Sequence, residues 1–253
     1  ACVALIVGGA AGAISHVMLP KVETLDEVQR AVHAIDQAAA GAATLPLHVL
    51  IESPAAVHRA FKLAAHPRVQ SLSFGLMDFV SAHAGAIPAS ALRVEGQFEH
   101  PLVRRAKLEL ASAAHAHGKV PSHGVVTEFR DRAVLAQAAQ RAAQELGYTR
   151  MWSIHPDQIR PIVEAFAPDA ASVHAAIEVI ERALRHDWAP IEIAGQLHDR
   201  ASYRYHWHVL ERARQTGRVL PQEILHWWPA SQPVSFTSSG PDSQDVHIPT
   251  HNR

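Results

Sequence analysis

The sequence is poor in the residues on which several common chemistries depend. Cys2 is the sole cysteine among 253 residues, which excludes an internal disulfide and a thiolate metal cluster and fits a reducing, cytoplasmic compartment. Basic residues form no dense block and the formal net charge is −1, so the concentrated basic surface that nucleic acid requires is lacking. The glycines at 8, 9 and 12 miss the G-x-G-x-x-G spacing of a dinucleotide loop. No H-E-x-x-H occurs among the nineteen histidines. His115/His117 and His206/His208 stand two apart, on different faces of a helix. The apolar opening ACVALIVGGAAGAISHVMLP has no basic residue before Lys21, so it is not expected to be a signal peptide. It is also short and glycine-rich for a membrane span. Residues 3–14 read instead as part of a buried helix.

What is present is an ordinary globular composition, 48% hydrophobic and 19% charged, able to bury a substantial core. Apolar runs of strand length at 16–20, 47–51, 69–74, 119–126 and 150–154 alternate with helical patterns. Thr24 and Glu27 make a T-x-x-E capping box for a helix reaching Ala39. Pro54 suits a first helical turn. Further helices are expected from Pro101 to His117 and over 131–146, the latter stopped by Gly147 at C′. This spacing is that of βαβ units and a parallel sheet. After Pro168 the pattern turns helical, over Ala170–His186 and Arg200–Thr216, with a short IEIAG segment and a turn between. The tail from Ala230 is polar, rich in proline and serine, and expected to be disordered. The implied organisation is a partial barrel over 1–168, a helical extension over 169–229 and a tail over 230–253.

In parallel α/β proteins functional residues sit at the carboxyl ends of strands. Glu52 stands there after LHVLI, and Asp78 follows the next strand in SLSFGLMD. Two carboxylates brought to one mouth need a cation or a shared proton. Two oxygen ligands with room for water and substrate suit Mg²⁺. A strand-end glutamate ahead of a helix also serves as a cap or dipole partner, and Asp78 also suits a turn. His155 ends a strand and is the one histidine placed like a site residue. Thr127, Glu128, Arg130 and Asp131 follow the fourth strand and read mainly as capping. The aromatics from Tyr203 to Trp207, at helical spacing, read as packing.

Five motifs in order, HVMLPKVET (16–24), VLIESPAAV (49–57), SFGLMD (73–78), IHPDQI (154–159) and GQLHD (195–199), resemble the citrate lyase β-subunit-like family. Its wider group includes malyl-CoA lyases and the HpcH/HpaI aldolases. The resemblance covers about residues 14 to 216. It implies a (β/α)₈ TIM barrel of the phosphoenolpyruvate/pyruvate type with a C-terminal helical extension, assembled as a homotrimer or larger ring. It implies Mg²⁺, with Mn²⁺ able to substitute, held by Glu52 and Asp78. Glu52, Gly75, Leu76 and Met77 fall at substrate-binding positions, where the family holds the keto acid's carboxylate. Asp199 matches the acid/base residue that reaches a neighbouring subunit's site. The implied reaction cleaves or forms a 3-hydroxyacyl-CoA, such as citryl-CoA or malyl-CoA, from an acyl-CoA and a 2-oxo acid. No nucleic-acid or membrane partner is implied.

Two departures temper the match. Residues 17–20 align with the family's fourth strand, so the first three strands, with the arginine that grips the substrate carboxylate, are expected to lie outside this sequence. The segment DRASYRYHWHVLERARQTG is also more aromatic and basic than the family's usual form. A metal-dependent aldolase on a free 2-keto acid and a catalytically silent scaffold are the rival readings. GQLHD favours the CoA-dependent lyase, and the Glu52/Asp78 pair argues against a silent protein.

Overall fold

The computed structural model describes residues 2–41, 44–128 and 131–228; the expected disordered tail and Arg130 lie outside them. The chain divides into two compact units, Ala1–Ala165 and Phe166–Arg253. The first opens with α1 (Cys2–Ala10), β1 (Val17–Leu19), α2 (Leu25–Ala39) and β2 (Leu47–Ile51). Two short helices, α3 (Pro54–His58) and α4 (Ala60–Ala64), lead to β3 (Val69–Phe74). Next come α5 (Leu76–Ser81), α6 (Gly96–Glu99) and α7 (Pro101–Ala116). The unit finishes with β4 (Val120–His123), α8 (Arg132–Glu145), β5 (Arg150–Met151) and α9 (Ile159–Phe166).

The five strands form one sheet in sequential order, each neighbour parallel. Among the described residues this sheet is open, with β1 and β5 at its edges. No closed barrel is formed, because these are five strands where a (β/α)₈ barrel closes with eight. The register sets two unlike faces. Val49, Leu72, Pro121 and Met151 share one face with Ile51, Phe74 and His123, and this apolar side packs on helices such as α7. His48, Ser71, Ser73, Ser122 and Arg150 share the other. There His48 bonds Gln70 at 2.7 Å, His16 stacks on His48 at 3.8 Å, and Trp152 Nε1 donates to Ser73 Oγ at 3.1 Å.

Local chemistry fixes the helix ends. Thr24 and Glu27 form the capping box of α2, and Asp131 caps α8 by accepting the Ala133 and Val134 N–H groups. Gly147, with φ +73°, takes the left-handed position after α8 that favours glycine. Two expectations need correction. Helix α1 is not buried: Val7 is covered, but Leu5 is 80% and Ile6 61% exposed. A nine-residue helix packed on α2 covers only one stripe of its surface. His155 does not end a strand either. The Ile154 N–H bonds the Gln158 side chain at 2.9 Å instead of the ladder, so pairing stops at Met151 and His155 caps a 3₁₀ turn.

The second unit holds α10 (Ala170–Arg185), β6 (Ile191–Ile193), β7 (Gln196–His198) and α11 (Arg200–Gln215). Helices α10 and α11 bury Ala176, Ile180, Tyr203, Trp207 and Leu210 in one cluster, so Tyr203 and Trp207 are packing residues. The IEIAG segment is the first strand and turn of an antiparallel hairpin. Ala194 and Gly195 both take positive φ, 50° and 79°, the geometry of a tight type I′ turn. Among the described residues no helix is long and apolar enough to cross a membrane.

Candidate active site

The carboxyl ends of β1, β2 and β3 bring four charged side chains to one cavity of about 270 Å³, whose walls include Lys21, Glu23, Glu52, Ser53, Asp78 and Ser81. Glu52 follows β2 directly and is only 7% exposed. Its neighbour Ser53 is the helix cap: Ser53 Oγ accepts the Ala56 N–H at 3.1 Å and donates to Glu23 Oε1 at 2.6 Å. Glu52 is thus free of capping duty, and its buried Oε2 has no hydrogen-bond partner. Burial, and then the charge of Asp78, raise the Glu52 pKa above the ordinary carboxylate value, while the Lys21 charge and backbone amide oppose the shift.

Asp78 is not at the strand end itself. It lies in the first turn of α5 and meets the Lys21 ammonium at 3.0 Å. Gly75 joins the two strands, its N–H donating to the Ile51 carbonyl at 2.9 Å. A Cβ at Gly75 would lie 2.5 Å from Glu52 Cγ, so the absence of a side chain there is what gives Glu52 its place. Leu76 is half-buried and Met77 is 59% exposed; neither lines the cavity. The two expected carboxylates and Gly75 therefore come together.

Asp199 lies in the second unit, as the N-cap of α11. Its Oδ1 accepts the Ala201 N–H at 2.9 Å and the Ser202 N–H at 3.3 Å. Lys21, Glu23 and Ser53 received no role from the sequence. The signal for the first two was available, because PKVE follows a strand just as ES follows β2.

An orphaned carboxylate oxygen beside a second carboxylate is a donor set suited to a hard divalent cation. Among the described residues no group of three or more His, Cys, Asp or Glu side chains is arranged around a metal position, so Glu52 and Asp78 would leave most coordination positions to water or substrate.

Comparison with known proteins bears on this geometry. The family model for HpcH/HpaI aldolase/citrate lyase matches residues 7–156. The L-malyl-CoA/beta-methylmalyl-CoA lyase of Rhodobacter capsulatus is 30% identical over 206 residues, covering 76% of this chain and 64% of that protein. A citrate lyase structure from Burkholderia xenovorans LB400 is similar with a TM-score of 0.79 at 50% identity, over 89% of this chain and 71% of that one. The citrate lyase beta subunit of M. tuberculosis, complexed with oxaloacetate and magnesium, gives a TM-score of 0.53 at 25% identity, over 65% and 67% of the two chains. The chain spans less than two thirds of the length of the malyl-CoA lyase it matches.

Proposed function

Because this chain belongs to the HpcH/HpaI aldolase/citrate lyase family, we propose that it carries the metal site of a carbon–carbon lyase that cleaves or forms a 3-hydroxyacyl-CoA. The products of cleavage are an acyl-CoA and a 2-oxo acid. One observation carries this reading: the buried, unpartnered Oε2 of Glu52 in the same cavity as Asp78. The names of the relatives support a CoA ester as substrate, and the magnesium–oxaloacetate complex of the M. tuberculosis protein supports the cation and the acid.

Glu52 and Asp78 would hold Mg²⁺. When bound, the cation supplies Lewis-acid stabilisation for negative charge on the substrate's oxygens. The backbone around Gly75, Leu76 and Met77 orients the carboxylate of the oxo acid. On cleavage the hydroxyl proton passes to water as the carbinol C–O becomes the oxo group. The C–C electron pair passes to the acyl thioester as its enolate, and Asp199, as general acid, gives a proton to that carbon. The five-stranded sheet is read as part of a (β/α)₈ barrel, and the second unit as its C-terminal extension. A homotrimer or larger ring would let Asp199 serve a neighbouring subunit's site.

The test is product analysis by mass spectrometry, with the whole protein, Mg²⁺ and a malyl-CoA-type thioester. Equal amounts of acyl-CoA and 2-oxo acid, abolished by EDTA, are expected. Free CoA with an intact hydroxy acid would overturn a lyase, and equal cleavage of the free acid would overturn the role of CoA.

A further inference from the structure

Lys21 is the only cation among the residues lining the cavity, and one residue reaches both carboxylates. Its ammonium lies 3.0 Å from Asp78 Oδ1, while its backbone N–H and its charge act on Glu52. The backbone that allows this is strained. Lys21 has φ +55°, the left-handed region that costs a residue with a Cβ roughly 1–2 kcal/mol. Such conformations persist where the surroundings fix them, and they gather at functional sites. Here Pro20 and the end of β1 deliver the turn, and the turn puts Lys21 over the mouth.

The grip on Asp78 is weak by construction. The lysine side chain is 72% and the aspartate 50% exposed, and exposed pairs of this kind hold little net energy. A compact ammonium on a four-carbon stem also moves readily. A divalent cation, drawing on Glu52 as well as Asp78, competes well against such a partner. Once released, the ammonium remains at the cavity with a charge opposite to that of an incoming carboxylate.

Resting on the metal reading above, we propose that Lys21 is an exchangeable counter-cation. Its ammonium holds Asp78 when no divalent ion is bound, yields it to the ion, and then pairs with the carboxylate of the 2-oxo acid. Metal and oxo acid therefore bind cooperatively through one side chain. By linkage, what Lys21 costs the metal in the absence of acid is returned when the acid binds.

The test uses isothermal titration calorimetry with Mn²⁺, then with pyruvate into the Mn²⁺-loaded protein, for wild type, Lys21→Met and Lys21→Gln. Because Lys21 is exposed, both variants are expected to fold; both remove the charge on an unbranched side chain, one leaving it apolar and the other polar. Both should bind Mn²⁺ alone about two- to fivefold tighter, the range an exposed ion pair commands. Both should bind pyruvate about tenfold more weakly, as loss of a charge-assisted contact requires. Mn²⁺ binding that is no tighter in either variant than in the wild type, or pyruvate binding that is unchanged, overturns the exchange and leaves the metal site standing. Absence of Mn²⁺ binding in all three proteins overturns the metal reading, and this one with it.

Discussion

At the end of β2 the bond that caps the next helix comes from Ser53, and the adjacent Glu52 makes none. Adjacent side chains thus divide two jobs that the sequence alone left open for Glu52. Asp199 caps α11 and is also the proposed acid/base, so two jobs would fall on a single side chain. The two roles separate by substitution. Asparagine caps a helix as well as aspartate does, whereas alanine loses about 1 kcal/mol. Asp199→Asn is expected to keep the wild-type melting temperature and lose lyase turnover by at least about a hundredfold, the lower range for general acid–base groups. Asp199→Ala should lose both. Retention of turnover in Asp199→Asn, measured beside its melting curve, would reduce Asp199 to a cap.

At the scale of elements, much was legible and the reasons are specific. The strands at 47–51 and 69–74 are continuous apolar or small-residue runs closed by turn residues, and the observed bounds agree. The capping box at Thr24 and Glu27 and the stop at Gly147 depend on local chemistry that sequence displays directly. The hairpin of β6 and β7 was half seen, because three-residue strands carry no period and the I′ turn uses an alanine at positive φ. The charge of Lys21 at the mouth was passed over because its strand is only three residues long. The polar face of the sheet was hidden by the pairing register, which no single strand reveals.

That polar face makes a prediction about pH. Burial lowers the His48 pKa from 6.5 to about 4, Arg150 adds to the shift, and the Gln70 hydrogen bond partly offsets it. A folded-state pKa below the unfolded one means that the unfolded chain takes the proton first. Stability therefore falls as pH drops from about 6.5 towards about 4, by up to about 3 kcal/mol at 1.36 kcal/mol per unit. His48→Gln should flatten the decline in melting temperature between pH 7 and pH 4.5. An unchanged slope would show that His48 does not carry the effect.

At the scale of the molecule, one compact unit holds the sheet, the cavity and both metal-binding candidates, and the other holds Asp199. Complete chemistry on this account needs both, while cation binding needs only the first. Glu52 is immobilised between Gly75 and the end of β2, and Asp78 is brought to it by the first turn of α5. The central claim is that these two carboxylates exist to hold a divalent ion. Its most direct test is a Mn²⁺ titration followed by EPR, comparing wild type with Glu52→Gln and Asp78→Asn. The account predicts a saturable site in the wild type that weakens at least about tenfold in each variant, since each removes an oxygen ligand. Binding that survives undiminished in both variants would contradict it.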